Sequence, residues 1–303
     1  MGRRWGRARD GSLVSRQLGA STFAFAWRES ALDALRRLQA LGLHGFDVIL
    51  APGHCWPDEL PTEARARLAR SVAAEGIRID SLNFPALDLN LASCIPEVRA
   101  YALARYRDAL TLGAELGVRG VVAVPGRVSA LAGPSADETE RWLEDSVGEL
   151  LAIAEQTDAS LFLELHPQSP IPTVDALHRF VTRFDDPRLR VAYDVANAEF
   201  VSEDHRAALG RLASRLGQVH LSDASAARWA HDRIGRGTVD FPAVLRALDE
   251  IGFDGACILE VVTPTPVPDI VASREALEKA SGPRPPAAGA ATLPLVDDAD
   301  RTG

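Results

Sequence analysis

The sequence predicts an α/β protein built as a single (β/α)8 barrel. Three observations carry that expectation. Apolar runs of strand length alternate with segments of helical period. The alternation repeats eight times. Four of the runs deliver a metal-type side chain at or near their ends: Glu164 in LFLELH, Asp194 in RVAYD, His220 in QVHLSD and Glu260 in CILEVV. The steps from 164 to 194, from 194 to 220 and from 220 to 260 are each close to one strand, loop and helix. Four successive βα units therefore place all four groups at one end of a parallel barrel, the end where barrel enzymes do their chemistry. The competing fold, an open doubly wound sheet, needs fewer units and usually a glycine-rich phosphate turn. No GxGxxG follows any strand here, and the GRG at 235–237 lies in a long loop.

Taken in order, RQLGASTFAF is the first strand and is followed by a helix, ALDALRRLQALG, capped by Ser30. HGFDVILA precedes PTEARARLARSVAAEG. IRIDSLN leads through a long loop to PEVRAYALARYRDALTLGAELG, where apolar residues recur at three and four. VRGVVAVPG leads to a helix starting near Ser135, with Asp137, Glu138 and Glu140 in its first turns, where the helix dipole favours acids. ASLFLELH precedes TVDALHRFVTRF, with Thr173 as N-cap. RLRVAYD, GQVHLS and GACILEV precede EDHRAALGRLASRLG, FPAVLRALDEIG and DIVASREALEKA. Gly42, Gly76, Gly117 and Gly252 fall where helices should stop. The barrel spans residues 17–280. Residues 1–16, basic and without an apolar stretch, read as a disordered lead rather than a secretion signal. Residues 281–303, rich in Pro, Ala and Gly, read as a flexible tail.

At 303 residues with 47% hydrophobic content, one barrel of roughly 250 residues uses most of the chain. A net charge of −9 argues against nucleic acid as partner, because such binding relies on clustered cations. Cys55, Cys94 and Cys257 include no CxxC pair, which fits a reduced, cytoplasmic protein and excludes a thiolate zinc site. No apolar run approaches the roughly 20 residues of a membrane span. Lys279 is the only lysine and lies in the last helix, so Schiff-base chemistry, pyridoxal phosphate anchoring and a P-loop lack their amine.

Three carboxylates and one imidazole suit a hard or borderline divalent ion such as Mn2+, Mg2+ or Co2+, with Zn2+ also compatible. Singly, each residue has another reading: Asp194 as a helix cap, Glu164 in an internal ion pair, His220 as a core histidine. Together, four ionisable groups on apolar strands converging at one mouth are costly without a cation or mutual pairing.

The order LELHP, YDVAN, VHLSD, IGRGTVDF and ILEV resembles the xylose isomerase-like TIM barrels, which include sugar phosphate isomerases and epimerases, ketose 3-epimerases and endonuclease IV. The resemblance spans roughly residues 17–280. It implies one Mn2+ or similar ion held by Glu164, Asp194, His220 and Glu260, with a small sugar or related hydroxy-ketone as substrate. It further implies isomerisation or epimerisation by proton transfer through an enediolate, with Glu164 and Glu260 as the catalytic carboxylates. Substrate contacts are expected from His166, Asn197, His231 and Arg233. Asn197 stands where relatives often place a histidine, and it can hydrogen-bond a hydroxyl but cannot act as a base. His231 falls where some relatives carry a substrate-binding arginine and endonuclease IV a metal-binding histidine. His166 should point outward if its strand stays regular, unless the mouth bends it in.

Asp47 and His54 follow the second strand, Asn83 ends the third, and Trp27 and Trp56 lie in mouth-side loops able to cover a sugar face. His44, His178 and His205 are assigned to the surface. A dehydratase of the dehydroshikimate dehydratase type would keep the same metal site and add an arginine clamp from Arg127, Arg228 or Arg233. An endonuclease IV-like repair enzyme needs a basic groove and more ligands, which Asn197 and the acidic balance oppose. A barrel retained only as a binding partner would have no reason to keep four buried ionisable groups. Oligomeric state stays open, a homo-oligomer included.

Overall fold

The computed structural model of the chain describes residues 18–85, 88–129 and 131–281. The expected lead at 1–16, and the expected tail apart from Ser281, lie outside the described residues.

Eight parallel strands close a barrel: β1 (Leu18–Ser21), β2 (Phe46–Ile49), β3 (Ile79–Asn83), β4 (Gly120–Ala123), β5 (Ser160–Glu164), β6 (Leu189–Asp194), β7 (Leu216–Leu221) and, after a hairpin, β10 (Ala256–Leu259). They neighbour one another in sequence order, and β10 pairs with both β7 and β1. This is the expected (β/α)8 architecture. Around it lie α1 (Ala31–Ala40), α2 (Thr62–Ala74), α3 (Pro96–Leu116), α4 (Ala136–Thr157), α5 (Val174–Val181), α6 (Val195–Phe200), α7 (His205–Leu212), α8 (Phe241–Glu250) and α9 (Pro266–Ala280).

Local chemistry sets the helix ends. The Ser30 and Thr173 side chains accept from Asp33 and Ala176 amides, and Ser135 forms a full capping box with Glu138. Gly42, Gly76, Gly117 and Gly252 all have positive φ, between 63° and 78°, which a side chain would resist at a helix C-terminus.

Strand alternation divides the core. Leu161, Leu163, Val191, Tyr193, Val219 and Leu259 pack outward among the helices, whereas Val122, Phe162 and Ala192 form a separate cluster inside the barrel. Phe162 fills the lower barrel because Gly217 leaves room for it; a Cβ there would lie 2.7 Å from its ring. Above that plug the inward positions turn polar, and the site stands on them.

Two features depart from the sequence reading. A short helix, α6, follows β6 directly, capped by Asp194. The segment after β7, read as a long loop, contains an antiparallel hairpin of β8 (Asp223–Ser225) and β9 (Arg228–Asp232). Gly237 packs so tightly under it that a Cβ would collide with Ala224 O and Asp223 Oδ1.

Candidate metal centre and active site

Glu164, Asp194, His220 and Glu260 come from the ends of four adjacent strands, β5, β6, β7 and β10. Asp194 and His220 are register partners. Glu260 lies one residue past β10, where its amide still donates to Leu221 O at 3.1 Å. All four are buried, and one ligand atom from each can be chosen so that these atoms lie within 4.8 Å of one another. His220 Nδ1 is 3.1 Å from Glu164 Oε1, 3.4 Å from Glu260 Oε2 and 3.8 Å from Asp194 Oδ2. Adjacent ligands held about 2.1 Å from one ion lie about 3 Å apart, so the residues are spaced as a ligand set requires.

The donors also fit chemically. Asp194 divides its two oxygens: Oδ1 accepts from the Asn197 amide at 2.6 Å and caps α6, whereas Oδ2 is buried with no hydrogen-bond partner. The helix-cap reading and the ligand reading are thus both compatible with this residue, one oxygen each. Burial raises the Asp194 carboxyl to about 7, with Glu260 and Glu164 adding to the rise and His231 and His220 opposing it. For Glu260, burial pushes the same way, but His220 and His231 outweigh it and hold the acid below its ordinary range. Burial disfavours charge on His220, yet Glu260 and Glu164 drive its affinity for a proton well up. A cluster in which three acids compete for two imidazoles is one that a divalent cation would relieve.

The second imidazole is His231, which the hairpin carries to the cluster. Its Nδ1 lies 3.4 Å from Glu260 Oε2, 3.6 Å from Asp194 Oδ2 and 3.1 Å from Ser222 Oγ. Trp229, on the same face of β9, stacks on Phe200, meets the His166 ring edge-on at 5.2 Å and donates to Asn197 Oδ1 at 2.7 Å. Contrary to the expected outward direction, His166 is buried at the mouth, on the side that alternation gives a residue two positions after Glu164, and burial lowers its proton affinity. Asn197 is occupied: its Nδ2 donates to Leu165 O at 2.9 Å while its Oδ1 receives Trp229. This amide ties the end of β5 to the hairpin and keeps a second Nδ2–H and a second Oδ1 lone pair.

Arg233 turns away, its Nε 3.9 Å from Asp269, and Arg228 pairs with Asp232 at 2.7 Å. Arg127 is exposed and acts electrostatically on His166. Asp47 lies within β2 rather than after it and is buried, accepting from Ser21, Ser81 and Asn83; burial raises it to about 6. Both His54 nitrogens are used, on Glu29 O and Thr22 Oγ1. Trp27 is exposed, and Trp56 packs edge-on against Phe84. His44 is exposed as expected, but His205 is not: its ring bridges Tyr193 OH at 2.8 Å and Glu199 at 3.1 Å. The sequence reading missed Trp229 and Gln218. Period two could have found both, since each stands two residues before a histidine of the site.

Residues 35–280 match the family described as xylose isomerase-like TIM barrel. The chain belongs to that family. It is 24% identical over 260 residues to the L-ribulose-5-phosphate 3-epimerase UlaE of Escherichia coli, covering 82% of this chain and 91% of the relative. A D-tagatose 3-epimerase-like protein superposes with a TM-score of 0.77 at 24% identity, covering 87% of this chain and 96% of that one. The IOLI protein with a binding zinc atom superposes with a TM-score of 0.71 at 19% identity, covering 88% and 96%. Among the described residues no helix is long and apolar enough to cross a membrane.

Proposed function

We propose that this xylose isomerase-like barrel is a divalent-metal-dependent isomerase or epimerase of a small sugar, a sugar phosphate or a related hydroxy-ketone. The observation that carries the reading is the buried cluster of Glu164, Asp194, His220 and Glu260, whose Asp194 Oδ2 has no hydrogen-bond partner. The family and the names of the epimerase relatives support the same reaction class. Glu164, Asp194, His220 and Glu260 would hold the ion, with Mn2+ the first choice and Mg2+, Co2+ and Zn2+ compatible with the donor set.

A bound divalent ion supplies polarisation of a carbonyl oxygen, which acidifies the adjoining C–H. The rest falls to the chain's own residues. Glu164 and Glu260 end strands β5 and β10, separated in the barrel by β6 and β7, and so approach a substrate from two sides. One takes a proton from carbon and the other returns one, which converts a ketose to its epimer or to an aldose. His166 is kept neutral by burial and offers a hydrogen bond to a hydroxyl. His231 faces both Asp194 and Glu260 and presents a second imidazole to the same space. Trp229 meets the His166 ring edge-on and stands two residues before His231 on β9. The dehydratase alternative would need an arginine clamp; of its candidates, Arg228 and Arg233 face Asp232 and Asp269.

The test is a panel of ketoses, ketose phosphates, hydroxy-ketones and dehydroshikimate, offered to chelated protein and to protein reloaded with Mn2+ or Co2+. Mass-neutral conversion with solvent deuterium entering next to the carbonyl, dependent on metal, is the expected result. Glu164→Gln and Glu260→Gln should each retain metal and lose about 10²–10⁴ in turnover. Loss of water from the substrate, or full turnover in both variants, would overturn the reading.

A further inference from the structure

Gln218 is a buried polar group beside the cluster to which no role has yet been assigned. It precedes His220 by two residues in β7, so both side chains enter the barrel, and both are fully buried. As placed, Gln218 Nε2 lies 2.8 Å from His220 Nε2, and Gln218 Oε1 has no hydrogen-bond partner. That orientation of the amide requires a bare Nε2 and a ring proton on Nδ1, toward Glu164 Oε1 at 3.1 Å, and a ring that carries a proton on Nε2 does not fit it. It also leaves a buried carbonyl oxygen orphaned.

A metal reverses the requirement. His220 meets the carboxylates through Nδ1, so Nδ1 is the atom that must give up its proton to bind an ion. The neutral ring then carries its proton on Nε2, which needs an acceptor, and the side chain at that distance is Gln218. The oxygen and nitrogen of an amide are nearly equal in shape, and the hydrogen-bond network decides which is which. Turning the amide over places Oε1 on His220 Nε2–H, gives the orphaned oxygen its donor and aims a bare Nδ1 at the cluster. We propose that Gln218 is the positioning residue of the metal centre, fixing by its Oε1 the His220 tautomer that binds the ion. The proposal rests on the metal-dependent reading above.

The experiment uses the full chain as wild type, Gln218→Leu and Gln218→Glu, with melting curves confirming that each folds. Titration with Mn2+ and Zn2+ gives stoichiometry and affinity, and 15N spectra of the imidazoles in the Zn2+-loaded wild type report the tautomer directly. Wild type should bind one ion, with His220 protonated on Nε2. Gln218→Leu should bind about 10–100-fold more weakly, the usual effect of losing the partner behind a ligating histidine. Gln218→Glu keeps an acceptor and should recover most of the loss. If wild type binds and Gln218→Leu binds equally well, if Gln218→Glu is as weak as Gln218→Leu, or if the loaded ring is protonated on Nδ1, the assignment to Gln218 is wrong while the metal reading stands. If wild type binds no ion, both fail together.

Discussion

Asp194→Asn should stabilise the metal-free protein at alkaline pH and abolish most of its response to metal, two effects of opposite sign from one substitution. Asparagine keeps an acceptor for the Asn197 amide and is as good an N-cap as aspartate, so α6 should survive. What disappears is a buried carboxylate oxygen without a hydrogen-bond partner. Burial, aided by Glu260 and Glu164, raises this acid from 3.8 to about 7. Because the folded value lies above the unfolded one, the unfolded chain ionises first. The cost to the fold is therefore absent below about pH 4, grows as pH rises and is complete above about 7. A rise of about three units sets a ceiling of ~4 kcal/mol. Since the cost is shared with the coupled Glu260 and histidines, ~2 kcal/mol is expected. At 2–4 °C per kcal/mol for a chain of about this size, the apo variant should melt ~4–8 °C above wild type at pH 8 and level with it near pH 4. Mn2+ at about 100 times its Kd adds ~2.7 kcal/mol to a binding-competent protein, or ~5–11 °C, which wild type should show and the variant should largely lose. Calorimetric melts of both proteins at two pH values, with chelator and with Mn2+, test all eight combinations. A metal-free variant that melts below wild type at pH 8, or equal gains from Mn2+ in both proteins, would refute the argument.

Asn197→Ala removes the donor to Leu165 O and the acceptor of the Trp229 indole; urea unfolding should show a loss of ~2–3 kcal/mol, and Asn197→Asp, which keeps the acceptor but sets a buried carboxylate oxygen against Leu165 O, should lose at least as much. His54 is held neutral, burial lowering its pKa below 6.5 despite the pull of Glu29. Its folded value lies below the unfolded one, so its contribution is present above pH 6.5 and is lost as pH falls. Unfolding free energies at pH 7.5 and 5.5 should therefore diverge more in wild type than in His54→Gln, and equal slopes would exclude the assignment. Gly237→Ala forces a Cβ into Ala224 O and Asp223 Oδ1, costs ~1–3 kcal/mol and should displace the hairpin that carries His231; unchanged stability together with unchanged metal affinity would contradict that packing.

The barrel was legible because its signals are local. Strand-length apolar runs, Ser30, Ser135 and Thr173 at helix starts and glycines at helix ends each act over a few residues, and eight repeats of strand and helix without a glycine-rich phosphate turn favour closing the sheet into a barrel buried on both faces. The four candidate ligands were legible for a related reason: a side chain at the C-terminal end of a barrel strand has one place to go, and period two decides whether it enters. The sequence by itself therefore determined the architecture and the membership of the cluster. It did not determine what happens where the chain leaves the regular strands. The amide of Asn197 bridges Leu165 and Trp229, which meet it from 32 positions away on either side, a tie that no local pattern announces. His205 looked like a surface residue until Tyr193 and Glu199 closed on it. Arg233 follows His231 by two positions but faces Asp269, because β9 ends at Asp232 and the alternation ends with it. Whether Asp194 caps a helix or meets a cation could not be chosen from its neighbours in sequence, and the fold shows why: each of its oxygens has a separate surrounding, and only packing in three dimensions gives one of them an amide and leaves the other bare.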